Sequence, residues 1–278
     1  MTIREFYKIY SQKYKDNKYL NDICLRTLIV KNEGIKDMST FFLCFDDELK
    51  NESKIIEDIK RVINGEPYQY VINEAEFYGL KLYVDKNVLI PRLETEELVH
   101  TLIHKYLNIN NNYVVADIGT GSGCIALAMK KHLKNADVFA VDISNNALNV
   151  AKFNSDKMQL NISLLPGDLL SPLIDNNIKV DVLISNPPYI KNKNEVDENV
   201  LNYEPNLALF AKNGIDFYER ILKESFKVLK QKAMIAFEFN YDQKNELNEI
   251  IKKYYPTSKV YFYKDAGNKW RYVIICLE

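Results

Sequence analysis

The chain has 278 residues, 47% of them hydrophobic, with a formal net charge of −1. That length fits one large or two modest domains, and the apolar content supports a packed core and excludes a disordered chain. The near-zero charge gives no global pull towards nucleic acid or a membrane surface. The four cysteines form no C-x-x-C pair, which argues against a zinc site or a disulfide frame and for reduced thiols. No run of about 18 apolar residues is present. The charged start Met1-Thr2-Ile3-Arg4-Glu5 lacks the apolar stretch of a signal peptide. We therefore expect a cytoplasmic protein with no membrane contact.

Residues 1–64 carry helical periodicity. Phe6, Ile9 and Tyr10 share a face. Leu20, Ile23, Cys24, Thr27 and Leu28 continue the pattern, and Ile55, Ile56, Ile59, Val62 and Ile63 repeat it. Asn51 or Ser53 is the expected cap of the last of these helices. Residues 1–70 hold 12 basic and 12 acidic side chains, unlike a nucleic-acid-binding arm. Composition leaves a partner-recognition domain and a packing appendage equally open. Asn64-Gly65-Glu66-Pro67 reads as a linker. Tyr68 to Val84 then reads as short strands, with a hairpin turn at Phe77-Tyr78-Gly79-Leu80. After Ile90-Pro91-Arg92, Thr95 is the expected cap of a helix that aligns Leu98, Val99, Leu102 and Ile103. His100 and His104 stand at i and i+4, a spacing able to hold a metal. With no third ligand nearby and no glutamate at the metalloprotease position, we expect two ordinary helix histidines and no metal site.

The chemistry concentrates in three later segments. Val114 to Ile118 reads as a strand running into Gly119-Thr120-Gly121-Ser122-Gly123 and then a helix. Glycines let backbone turn tightly and approach a ligand. A dinucleotide fingerprint needs glycine at 124, where Cys124 stands, so the G-x-G-x-G form is closer to an adenosylmethionine loop. Asp117 either anchors this loop or faces a methionine amine. Asp137 to Asp142 is a second strand ending in an acid about 20 residues on, the place of a ribose-binding carboxylate. Asp168 and Leu169, after the strand Ile162 to Leu165, are placed to accept from an adenine amine and to pack on its ring.

The third segment is Ile184-Ser185-Asn186-Pro187-Pro188-Tyr189-Ile190. An apolar strand, Val180 to Ile184, ends here because two prolines cannot donate to a sheet ladder. The stiff turn displays Asn186 and Tyr189 at a strand's carboxyl end. The Asn186 side-chain oxygen and the Pro187 carbonyl can accept from a planar NH2 and stabilise positive charge forming on its nitrogen. The Tyr189 ring can stack on the same planar group. A long charged loop, 191–206, follows. Then come a helix after Gly214, the strand Ala233 to Phe239, a helix near Tyr241–Tyr254, and a hairpin turning at Ala266-Gly267-Asn268. Trp270 is expected to be a core or rim aromatic.

Together these segments resemble the HemK/PrmC family of peptide-chain release factor N5-glutamine methyltransferases. The resemblance runs through Gly65-Glu66-Pro67, Ile90-Pro91-Arg92, Glu94-Thr95-Glu96, residues 117–123, Asp142, residues 185–190, Tyr203-Glu204-Pro205, Ala208-Leu209, Asp265, Gly267 and Arg271. Leu93 departs from it, standing where the family commonly has proline. It implies an α/β fold: a class I, Rossmann-like methyltransferase sheet of seven strands with an antiparallel last strand. A small N-terminal helical domain would be joined to it by a β-hairpin. The implied boundaries are 1–64 for release-factor recognition, 65–88 for the linker and 89–278 for the methyltransferase. S-adenosyl-L-methionine, leaving as S-adenosyl-L-homocysteine, would be held by Asp117, Gly119, Thr120, Gly121, Ser122, Gly123, Asp142, Asp168, Leu169 and Asn186. Asn186, Pro187, Pro188 and Tyr189 would bind the glutamine amide, with Asn186, Pro187 and Tyr189 catalytic. The implied partners are class 1 release factors, with no direct nucleic acid, and the chain is expected to be a monomer. The rival readings are a glutamine methyltransferase of a ribosomal protein, a nucleic-acid amino-methyltransferase and a non-catalytic cofactor-binding scaffold.

Overall fold

Three helices open the chain in the computed structural model, which describes residues 1–278. They are Ile3–Lys13, Asp22–Glu33 and Glu52–Ile63. Thr2 and Glu5 close a reciprocal capping box on the first. Asn21 caps the second, and Gly34, at φ 68°, ends it in the left-handed conformation. Phe6, Leu25, Leu28, Ile29, Phe41, Ile55 and Ile59 form the core of this unit. Each such side chain contributes about 2 kcal/mol when taken from water. Two expected core positions lie outside: Ile9 and Ile23 are 51% and 59% exposed. Packing covers only one stripe of each helix, and on the second helix that stripe is Cys24, Leu25, Leu28 and Ile29. Asn51 occupies the N-cap position of the third helix, but its amide donates to the Asn32 carbonyl instead of its side chain capping that helix.

This first unit gathers Met1–Glu74 and Asp197–Tyr203, and the second gathers Ala75–Val196 and Glu204–Glu278. Tyr68–Val71, expected in a strand, is one helical turn begun at Pro67. The hairpin follows it: β1 (Ala75–Phe77) and β2 (Leu80–Leu82) turn through Tyr78 and Gly79, both at positive φ, as a two-residue hairpin turn requires.

The large sheet comprises β3 (Val114–Ile118), β4 (Asp137–Asp142), β5 (Ser163–Pro166), β6 (Val180–Ser185), β7 (Leu229–Glu238), β8 (Lys259–Lys264) and β9 (Trp270–Cys276). Their order is β5-β4-β3-β6-β7-β9-β8, and β9 alone runs against the direction of the other six. The expected sheet of seven strands with an antiparallel last strand is therefore present. Side chains alternate between its two faces. Val115, Val138, Val182 and Ile184 pack under Leu98, Val99, Leu102 and Ile103 on one side. Ala116, Ile118, Leu183, Ile235 and Phe237 pack against Tyr218, Ile221, Leu222, Leu247 and Ile251 on the other. The helix over the first face spans Leu93–Thr101, with extended Arg92 at its N-cap. Thr95, expected to cap it, is instead its third residue and is buried. The preceding Pro91-Arg92 already sets the chain into the helix, so the hydroxyl is free for another task.

Candidate active site

Parallel strands bring their carboxyl ends to one edge, where open α/β sheets bind ligands. Here that edge carries a cavity of about 310 Å³, lined by Ile118, Gly119, Gly121, Val141, Asp142, Leu169, Asn186, Pro187 and Pro188 among others. Its volume lies in the range of small-molecule sites.

The glycine loop divides into two kinds of residue. Gly119 and Gly121 line the cavity at φ 74° and 54°, and a Cβ at either would meet nothing within 4 Å. Their backbone is thus both left-handed and open to a ligand. Thr120, Ser122 and Gly123 turn inward. Thr120 and Ser122 are buried, and a Cβ on Gly123 would stand 3.2 Å from that of Ala151. Asp117 is fully buried. Its Oδ2 accepts from the Thr120 hydroxyl at 2.6 Å and from the Ala126 N–H at 3.2 Å, while Oδ1 has no partner. Of the two roles open to it, the geometry shows the anchor of the loop and no contact with the cavity. Burial pushes its carboxyl up to about 7. Cys124, at the residue that excluded a dinucleotide loop, has its thiol pushed by burial up to about 12.

Asp142 faces the cavity. Its oxygens accept from the N–H groups of Gly121 and Ser144, each at 2.9 Å. Burial raises this carboxyl while the backbone donors pull it down. Asp168 and Leu169 also line the cavity, with Leu169 at φ 50°, and Asp168 is ion-paired with Arg220. Phe217 and Arg220 complete this wall. Neither stood out in the sequence, where both belong to an ordinary amphipathic helix, Asp216–Ser225. Asn87, Val88 and Leu89 enter from the segment before Ile90-Pro91.

The opposite wall is the turn after β6. Ser185 donates its hydroxyl to the Ile118 carbonyl at 2.7 Å, tying β6 to β3. Asn186, Pro187 and Pro188 line the cavity. Tyr189 does not. Its hydroxyl donates to Glu238 Oε1 at 3.3 Å, and its carbonyl accepts from Gln243 Nε2 at 2.9 Å. Burial beside Glu238 raises the phenol well above its ordinary value. Behind Asn186 lies a contact that sequence spacing could not show: Asn186 Nδ2 donates to Thr95 Oγ1 at 3.2 Å, and Thr95 donates to Glu238 Oε2 at 2.5 Å. Glu238 ends β7 as Asp142 ends β4, so an acid at the end of an apolar strand was the available signal. His100 on the helix Leu93–Thr101 and His104 on the π-helical segment Leu102–Tyr106 that continues it are both exposed, rings 4.3 Å apart, and no group of His, Cys, Asp or Glu has the arrangement of a metal site.

Residues 95–234 match the family described as Methyltransferase small domain. The chain is 40% identical over 250 residues to a release factor glutamine methyltransferase of Streptococcus pneumoniae, covering 88% of both chains. It is 38% identical to one of Bacillus subtilis, covering 81% of this chain and 80% of that one. Among solved structures it resembles a methyltransferase of Pyrococcus furiosus, with a TM-score of 0.53, 19% identity and coverage of 81% and 96%. It also resembles the N-terminal domain of human METTL16, with a TM-score of 0.55, 18% identity and coverage of 95% and 96%. These two structures share its fold.

Proposed function

This chain belongs to the release factor glutamine methyltransferases, and from that premise we propose that it methylates the side-chain amide nitrogen of the glutamine in the Gly-Gly-Gln motif of class 1 release factors. The observation that carries the reading is Asn186 and its two prolines on one cavity wall, with Gly119, Gly121 and Asp142 on the other. S-adenosyl-L-methionine, when bound, supplies a methyl group on a cationic sulfur.

The residues present fit that group. Open backbone at Gly119 and Gly121 admits it, Asp142 retains lone pairs for ribose hydroxyls, and Leu169 and Phe217 offer apolar contact for a base. Asp168, paired with Arg220, still reaches the cavity and serves the base's amine. Thr120, Ser122, Gly123 and Asp117 act from behind, by fixing the loop. On the substrate side, Asn186 Oδ1 and the Pro187 carbonyl accept from the glutamine NH2. They turn its nitrogen lone pair towards the methyl carbon and stabilise the positive charge that grows as the N–C bond forms. On transfer the C–S electron pair would remain on the sulfur of the departing product, and the nitrogen would give its extra proton to water. Tyr189 stiffens the turn through Glu238 and Gln243. The helical unit Met1–Glu74 is assigned to docking the release factor, with the hairpin as connector.

The test is transfer of labelled methyl to purified release factor, with peptide mass spectrometry. Label is expected on the Gly-Gly-Gln glutamine and is lost when that residue is alanine. Absence of label from wild-type release factor rejects the reading.

A further inference from the structure

Asn186 can help a substrate NH2 only if its oxygen faces that group. An amide has two edges of similar shape, and the wrong edge presents N–H to N–H. Something must choose between them, and the turn backbone does not. The choice lies in two buried side chains from distant parts of the chain. Ser185 pairs with Phe237 in the β6–β7 register, so Asn186 and Glu238 each stand one residue beyond that pair and project to the same face. Thr95, on the helix covering that face, lies between them. Thr95 is 2% exposed and Glu238 1%.

A hydroxyl has one hydrogen and can also accept. An ionised carboxylate accepts only. Glu238 therefore takes the Thr95 hydrogen, which leaves the Thr95 oxygen as an acceptor for the Asn186 amide nitrogen. With the nitrogen held inward, Oδ1 is the edge left for the cavity. We propose that Glu238 and Thr95 are positioning residues that select the edge of the Asn186 amide presented to the substrate, acting through a directed chain of two hydrogen bonds. This rests on the functional reading above and adds to it the source of that site's polarity.

The chain runs in this direction only while Glu238 is ionised. Burial pushes its carboxyl up to about 7, and Arg271 on β9 and the hydroxyls of Thr95 and Tyr189 oppose that rise. Glu94 on the covering helix adds to it. Tyr218, from the helix Asp216–Ser225, donates its hydroxyl to the Glu238 main-chain carbonyl at 2.8 Å, and the Glu238 charge raises its phenol. A protonated Glu238 can donate to Thr95, whose own hydrogen then turns towards Asn186 and favours the opposite edge.

The experiment uses the full-length protein with two readouts. The first is turnover on release factor across pH for wild type, Thr95→Val, Thr95→Ser and Glu238→Gln. Thr95→Val should lower kcat about 10- to 100-fold, a fraction of what losing a preorganised polar group costs. Thr95→Ser, which keeps the hydroxyl, should restore most of it. Wild type should lose kcat below about pH 7, and Glu238→Gln should be low with no such limb. The second readout needs no substrate. One side-chain amide proton of Asn186, assigned by NMR against Asn186→Ala, should exchange slowly in wild type and Thr95→Ser and fast in Thr95→Val. Wild-type kcat in Thr95→Val, or Thr95→Ser as impaired as Thr95→Val, overturns the proposal. If wild type leaves the release factor unmethylated while the exchange pattern holds, the substrate assignment fails and the positioning chain stands. Loss of that pattern removes the chain itself.

Discussion

The two walls of the cavity are built from different materials. On the β3–β4 side backbone lines the cavity: two glycines in left-handed conformations, with buried Asp117 pinning the loop from behind. On the β6–β7 side a side chain lines it, Asn186, which donates to Thr95, itself a donor to Glu238. Both walls rest on a buried carboxyl pushed up to about 7, yet one secures a loop and the other, in our proposal, orders hydrogens. A wall made of backbone is specified by where side chains are absent. A wall made of side chains is specified by what stands behind them.

The largest expected effect separates the walls outright. Asn186→Ala should lower kcat by about 10²–10³, the usual cost of removing one preorganised polar group, while calorimetry still finds S-adenosyl-L-methionine bound. Equal loss of binding and turnover would erase the division. Asp142→Ala should do the reverse. It removes hydrogen bonds to a charged acceptor worth about 2 kcal/mol, so cofactor affinity should fall about 30-fold while kcat at saturation changes little. Gly121→Ala probes the backbone wall itself. A side chain at φ 54° costs about 1–2 kcal/mol, which should appear as a lowered melting temperature together with weaker cofactor binding.

A smaller effect concerns the two buried carboxyls together. Their folded-state pKa values lie above their ordinary values, so the native state holds more protons between about pH 4 and 7. Their contribution to stability is therefore greatest below that window and is lost as pH rises through about 7. The melting temperature should drop by a few degrees from pH 5.5 to 8, and Asp117→Asn with Glu238→Gln should flatten the slope. Leu93→Ala marks the floor. This residue is 75% exposed, and its replacement should move stability by less than about 0.5 kcal/mol.

The backbone wall was legible in the sequence because its parts are local. A strand, three alternating glycines and an acid at the next strand's end fall within residues 114–142, and each has a steric or electrostatic reason to be where it is. The proline pair after β6 was legible for the same cause. The pairing of Thr95 with Glu238 was not: 143 positions separate them, and only the β6–β7 register and the helix above it bring them to one point. Thr95 misled for a physical reason, since a threonine beside a helix start is ordinarily a cap. Ile9 and Ile23 misled because periodicity reveals a helix but not how wide a stripe its neighbours cover. The loop after Tyr189 could be recognised as long and charged, but not that part of it belongs to the other unit.

That last feature bears on the order of synthesis. The helical core of the first unit closes with residues from Ile3 to Val71, but Asp197–Tyr203 also belongs to this unit, where Asp197 reaches Lys18 at 3.8 Å and Asn199 lies beside Gly65. The next residue, Glu204, is already in the sheet unit, accepting from Arg92 at 2.6 Å and the Ile90 N–H at 3.2 Å. On a ribosome, then, the part made first is completed only after β3 to β6 have been synthesised. A fragment ending at Glu74 would carry the helical core without its final piece.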